Sequence, residues 1–143
     1  MNPLTASPWH PLVPWIWAAG VVHLAIVAAN FALPRRLHVR ENAARLSPIL
    51  RQVLYVHWLY IVIVLLIFAA LCLLFAPELA GASLLGRFLS GAIAAFWLLR
   101  IPLQLFYYDR ETRRQNRALD GLYLAALLFL AGVFSAAALG TGR

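Results

Sequence analysis

Apolar positions along this chain neither alternate nor form a one-sided stripe; they gather into four long runs, at about residues 15–33, 53–75, 84–106 and 119–139. About 20 apolar residues rising 1.5 Å each cross a hydrocarbon core of about 30 Å, so each run predicts a membrane-spanning helix. The fold class expected is all-α and polytopic, four antiparallel transmembrane helices in a single domain covering residues 1–143.

Polar and helix-breaking residues punctuate the runs. The first is entered by Trp9, Trp15 and Trp17, as an interfacial aromatic belt would be, and should stop at Pro34. Within residues 34–51 the stretch 39–46 reads as a short surface helix with a thin apolar face, and Ser47-Pro48 reads as an N-cap followed by a first-turn proline. Residues 77–82 read as a turn, after which Ser83 can cap the third helix. Pro102 withholds an amide from that helix and frees the Leu98 carbonyl, so a kink is expected there. Gly86, Ser90 and Ala94, then Gly91 and Ala95, then Gly132, Ala136 and Gly140 place small residues every fourth position, which permits close helix approach.

Composition supports the membrane reading. Hydrophobic residues make up 64% of the chain and charged residues 12%, against roughly 25% charged in soluble domains, and the mean hydropathy is +0.81. The net charge of +7 carries no lysine: it comes from twelve arginines, of which Arg35, Arg36, Arg40, Arg45 and Arg51 fall in one connection and Arg110, Arg113, Arg114 and Arg117 in another. Arginines clustered beside spans report topology rather than nucleic-acid binding. The basic loops 34–51 and 109–118 are then cytoplasmic and both termini outside. Residues 1–14 hold four prolines and no arginine or lysine, unlike the cationic start of a secretory signal, and read as an exposed lead-in. Cys72, alone in an apolar run, allows neither an intrachain disulfide nor a CxxC site and reads as lipid-facing or as packing.

The candidate chemistry lies at the basic-loop end of the spans. Arg100 stands well inside the third run, where a cation costs about 2.5–3.5 kcal/mol on insertion scales. Measured from the run ends, Asn30 and Gln104 lie about 5 Å deep, His57 about 8 Å, Arg100 about 10 Å and His23 about 15 Å. Arg100 and Gln104 share a helix face, flanked by Trp97 and Tyr107, while Tyr60 stands near His57 in the second run. Either Arg100 snorkels to the headgroups, or it faces the bundle interior, where Gln104, Tyr60, His57 or the Leu98 carbonyl would satisfy it; Asp109 and Asp120, both at the rim, are the only acids near enough to neutralise it. The ligand-binding set expected is therefore Arg100, Gln104, His57, Tyr60, His23, Asn30, Trp97 and Tyr107.

No catalytic signature occurs: there is no GxSxG, HExxH, phosphate loop or intramembrane carboxylate pair. No protein-ligated metal site is expected, since within the four runs no two ligands stand at i, i+3 or i, i+4. Haem b would require His23 and His57 as axial ligands, at depths that differ by about 7 Å.

The pattern aromatic-Trp-x-x-Arg-x-x-x-Gln-x-Phe-aromatic-x-Asp, here Phe96, Trp97, Arg100, Gln104, Phe106 and Asp109, together with the HWLYIVI opening at His57, resembles a group of uncharacterised small four-helix bacterial membrane proteins. The resemblance covers the stretch from Tyr55 to Asp109 and implies the fold and a bacterial inner-membrane location but no activity; His57 is less typical of that group.

Function is then expected to be that of a small integral inner-membrane protein, a non-catalytic subunit or homo-oligomer whose polar site around Arg100 binds a lipid-soluble ligand or partner. Membrane lipids and a homo-oligomer or larger membrane complex are the expected partners. A redox subunit holding haem b or quinone is the alternative. A small transporter is the third reading, short of polar groups in the outer half, where only Ser90, Ser135 and Arg87 stand.

Overall fold

The computed structural model describes residues 10–36, 39–107 and 117–140, and no strand occurs among them. Helix α1 spans Val13–Arg36, α2 Val39–Ala44, α3 Pro48–Leu74, α4 Ala76–Ala80, α5 Leu84–Pro102 and α6 Arg117–Leu139. Four stretches are long and apolar enough to cross a membrane: Val13–Ala32, Pro48–Leu74, Leu84–Phe106 and Arg117–Leu139. The chain is a multi-pass α-helical membrane protein, and large apolar side chains such as Leu84, Leu99 and Leu122 lie on its outside, where acyl chains replace water.

Helix α1 runs past Pro34 to Arg36 instead of stopping there. Proline at 34 leaves the carbonyl of Asn30 without its helical amide, and the indole N–H of Trp58 on α3 donates to that carbonyl at 3.4 Å. A neighbouring helix thereby supplies the donor that proline removes.

Helix α3 starts at Pro48, with Ser47 at the N-cap position but no side-chain cap bond. Its 27 residues would reach about 40 Å, more than a bilayer core requires. Its fully buried residues, Val62, Leu65, Ala69 and Cys72, all lie in its C-terminal half. Cys72 is thus core packing. Gly20 of α1 lets α3 come close: a Cβ there would stand 2.9 Å from Leu73 and 3.0 Å from Cys72.

The segment expected as a turn after α3 is helical and buried. Ala76, Leu79 and Ala80 of α4 are at most 2% exposed. Two small residues of α5 hold α4 down. The Ser90 hydroxyl donates to the Leu79 carbonyl at 3.1 Å, and Gly86 sits so close that a Cβ would fall 2.1 Å from the Glu78 carbonyl oxygen. Ser83 caps α5 as its sequence suggests, its hydroxyl accepting from the Gly86 amide at 3.0 Å.

Helices α1 and α3 form one antiparallel hairpin, α5 and α6 the other. In the second, Arg87 Nε donates to the Ala138 carbonyl at 3.0 Å, placing a cation at the C-terminus of α6. Gly140 ends that helix with φ 74°, the left-handed conformation glycine adopts without strain. Of its small-residue row, Gly132 has nothing within 4 Å of a built Cβ.

At the other end of α5, Pro102 is followed by a π-helical turn over Leu103–Tyr107. Without the proline amide the i−4 ladder cannot continue, and the wider turn takes up the mismatch.

Candidate functional site

The expected polar residues separate into three places. The deepest joins the two hairpins. His23 is fully buried, with Phe68, Trp97 and Phe134 around it at ring-centroid distances of 5.7, 5.4 and 6.0 Å. The Trp97 indole N–H donates to His23 Nε2 at 3.1 Å, and His23 Nδ1 pairs with the Ala19 carbonyl at 2.6 Å. An indole nitrogen only donates, so Nε2 must be the acceptor and the proton sits on Nδ1. Both ring nitrogens are therefore occupied by the protein itself.

This arrangement does not assemble the haem pair. His57 is exposed, and its Nδ1 donates to the Val53 carbonyl one turn back at 2.9 Å. Phe68, the α3 residue that touches His23, lies eleven residues beyond His57, about 16 Å along the helix. Trp58 stacks edge-on against Phe31 at 5.1 Å and bonds the Asn30 carbonyl, which sets His57 beside the last two turns of α1.

A second place is that rim between α1 and α3. Asn30 turns its amide back on its own helix, Nδ2 donating to the Ile26 carbonyl at 2.9 Å. Tyr60 is 64% exposed. Asn30, His57 and Tyr60 thus do not converge on Arg100.

The third place surrounds Arg100, between α5 and α6. Its guanidinium carbon stands 6.0 Å from the centre of the Tyr123 ring, a cation over an aromatic face. Four residues on, Gln104 is 8% exposed and donates Nε2–H to Asp120 Oδ1 at 2.6 Å. The carboxylate only accepts, so the amide nitrogen must be the atom facing it. Arg100 is half-buried and turned toward α6, in line with the interior orientation. Asp120 and Tyr123, absent from the residue set expected, complete this cluster. Their signal was the i, i+3 spacing of an acid and a phenol at the start of the fourth run, which puts both on one helix face. The side chain of Tyr107, with Asp109, Arg110, Arg113 and Arg114, lies outside the described residues.

Helices α3 and α5 meet through Phe68 and Phe96, ring centroids 5.3 Å apart and nearly perpendicular. Toward the basic-loop end the continuing flanks are exposed: Tyr60 and His57 on α3, Leu99 and Leu103 on α5. The Arg100 cluster stands on the basic-loop side of the junction that His23 and Trp97 make between the hairpins. Among the described residues no group of three or more His, Cys, Asp or Glu could hold a metal ion.

Comparison with known proteins finds no match: no family model fits the sequence, and no curated protein or solved structure is similar to it. Function has to be argued from the geometry of the site.

Proposed function

We propose that this chain is a small non-catalytic protein of the bacterial inner membrane, a subunit or homo-oligomer that holds a lipid-soluble ligand or partner at the Arg100 cluster. In this reading the arginine-rich connections face the cytoplasm and both termini lie outside. One observation carries it: Arg100, Gln104, Asp120 and Tyr123 converge from two helices within the membrane-spanning stretches. Charged side chains at such depth are costly and mark sites more often than packing. A carrier is less well supported, because a path outward from Arg100 meets His23, Phe68, Trp97 and Phe134, while Ser90 and Arg87 beyond them are bonded to backbone carbonyls.

The test is purification in a mild detergent followed by native mass spectrometry of the wild type and Arg100→Leu. A bound amphiphile or a defined oligomer in the wild type, lost or weakened in the variant, is the expected result. A bare monomer, with Arg100→Leu unchanged in stability and in the proteins recovered with it, overturns the proposal.

A further inference from the structure

We infer that the basic-loop end of α3, from Arg45 and Arg51 down to Leu66, is a docking face for one anionic phospholipid. The two arginines take its phosphate and the exposed side of the helix takes its acyl chains. This inference is independent of the reading of the Arg100 cluster.

Depth comes first. Helix α3 has 27 residues, about 40 Å of length, against a hydrocarbon core of about 30 Å. Its C-terminal end is pinned: Cys72 and Leu73 lie against Gly20 of α1, and the buried α4 begins at Ala76. The surplus of about 10 Å, roughly seven residues, therefore falls at the N-terminal end and carries residues 48–54 into the headgroup layer. Arg51 stands in the middle of that segment, and Arg45 lies just ahead of it, across the corner at Ser47.

Charge selects the headgroup. The side chains of Arg45 and Arg51 are exposed, and among the described residues neither is engaged in an ion pair or a hydrogen bond. The arginines of α5 differ: Arg87 donates to the Ala138 carbonyl, and Arg100 stands over the Tyr123 ring. Residues 35–51 hold five arginines against one glutamate, a formal charge of +4. A guanidinium offers five donors in a planar fork that matches phosphate oxygens. Two such groups at headgroup depth, within a strongly basic segment, favour a lipid of net negative charge over a zwitterionic one.

The surface below suits the chains. Tyr55, Leu59 and Leu66 follow Arg51 along one side of α3, and all three are exposed. A phenol one turn below the phosphate fits the interface, with its ring inward and its hydroxyl toward the headgroup. From Tyr55 to Leu66 is eleven residues, about 16 Å, the depth of one leaflet. A soluble anion would leave that row unused.

The experiment titrates the full chain in a mild detergent with phosphatidylglycerol or phosphatidylcholine and reads the lipid-bound fractions by native mass spectrometry. A saturable first equivalent of phosphatidylglycerol, bound more tightly than phosphatidylcholine, is expected. Arg45→Gln and Arg51→Gln should each weaken it about fivefold, and the two together about 25-fold. Arg45 lies outside any helix, so its variant carries the test should Arg51→Gln lose its helical circular dichroism. Arg117→Gln, which removes an exposed charge at the start of α6, should leave the affinity unchanged. Equal affinity for the two lipids overturns the inference. A loss in Arg117→Gln as large as in Arg51→Gln also overturns it, by showing a diffuse attraction to the basic connections. Displacement of the lipid by millimolar inorganic phosphate overturns the assignment to a lipid, because the row below would then contribute nothing. Loss of the lipid in Arg100→Leu, with the Arg45 and Arg51 variants unchanged, overturns the inference and supports the Arg100 site.

Discussion

The bond from Trp97 to His23 can be weighed directly. Trp97→Phe keeps an aromatic ring against Phe96 and removes the one N–H that reaches His23 Nε2 at 3.1 Å. In a water-soluble core an orphaned acceptor costs about 1–3 kcal/mol. In membranes the cost is smaller: coupling energies for interhelical hydrogen bonds average about 0.6 and reach about 1.7 kcal/mol, because the unfolded chain also finds partners there. His23 is fully buried within a cage of Phe68 and Phe134, so no water or headgroup can replace the indole in the folded state. The upper part of the range is expected, about 1–1.7 kcal/mol of coupling. Trp97→Phe also loses indole volume, and a double-mutant cycle with His23→Leu subtracts that contribution. Reversible unfolding by SDS in mixed micelles, followed by far-ultraviolet circular dichroism, gives the four stabilities. Coupling under about 0.3 kcal/mol, the limit within which independent sites add, refutes the view that this bond locks the two hairpins together.

Other substitutions test the packing and the topology. Gly86→Ala would set a Cβ 2.1 Å from the Glu78 carbonyl oxygen, so it should destabilise by about 3 kcal/mol, the upper end for overpacking, in the same SDS titration. Gly132→Ala meets nothing within 4 Å and should gain up to about 1 kcal/mol of helix propensity in the monomer; a loss instead would show that this face of α6 is covered in the membrane. Arg87→Ala removes the donor to Ala138 at an exposed helix end and should cost about 0.3–1 kcal/mol by that titration. In a Cys72→Ala background, Asn42→Cys should react with an impermeant maleimide only after the cells are opened, and Ala82→Cys in intact spheroplasts; the reverse pattern would invert the proposed orientation.

Much of the architecture could be read from contiguous residues. Span length, the Ser83 cap, the short helix within the first connection and the irregularity beyond Pro102 each follow from a few neighbours in sequence. Hydropathy and backbone chemistry act locally, so the sequence alone determines them. The meeting of the polar residues was not legible in this way. Asn30, His57, Tyr60, Arg100 and Gln104 have similar nominal depths, which suggested one layer, but the structure assigns the first three to the α1–α3 hairpin and joins the last two to Asp120 and Tyr123. Two quantities decide this, the axial offset of each helix and the direction each face points. Neither is encoded where lipid and protein interior are equally apolar, because a leucine facing a neighbour and a leucine facing an acyl chain look alike in sequence. The same reason hid the burial of α4 against Gly86 and the rescue of the Asn30 carbonyl by Trp58. The sequence by itself determined that there are four spans and which end of them holds the polar residues. Only the tertiary structure decided that Arg100 stands with Asp120, and that His23 closes the bundle rather than opening a site.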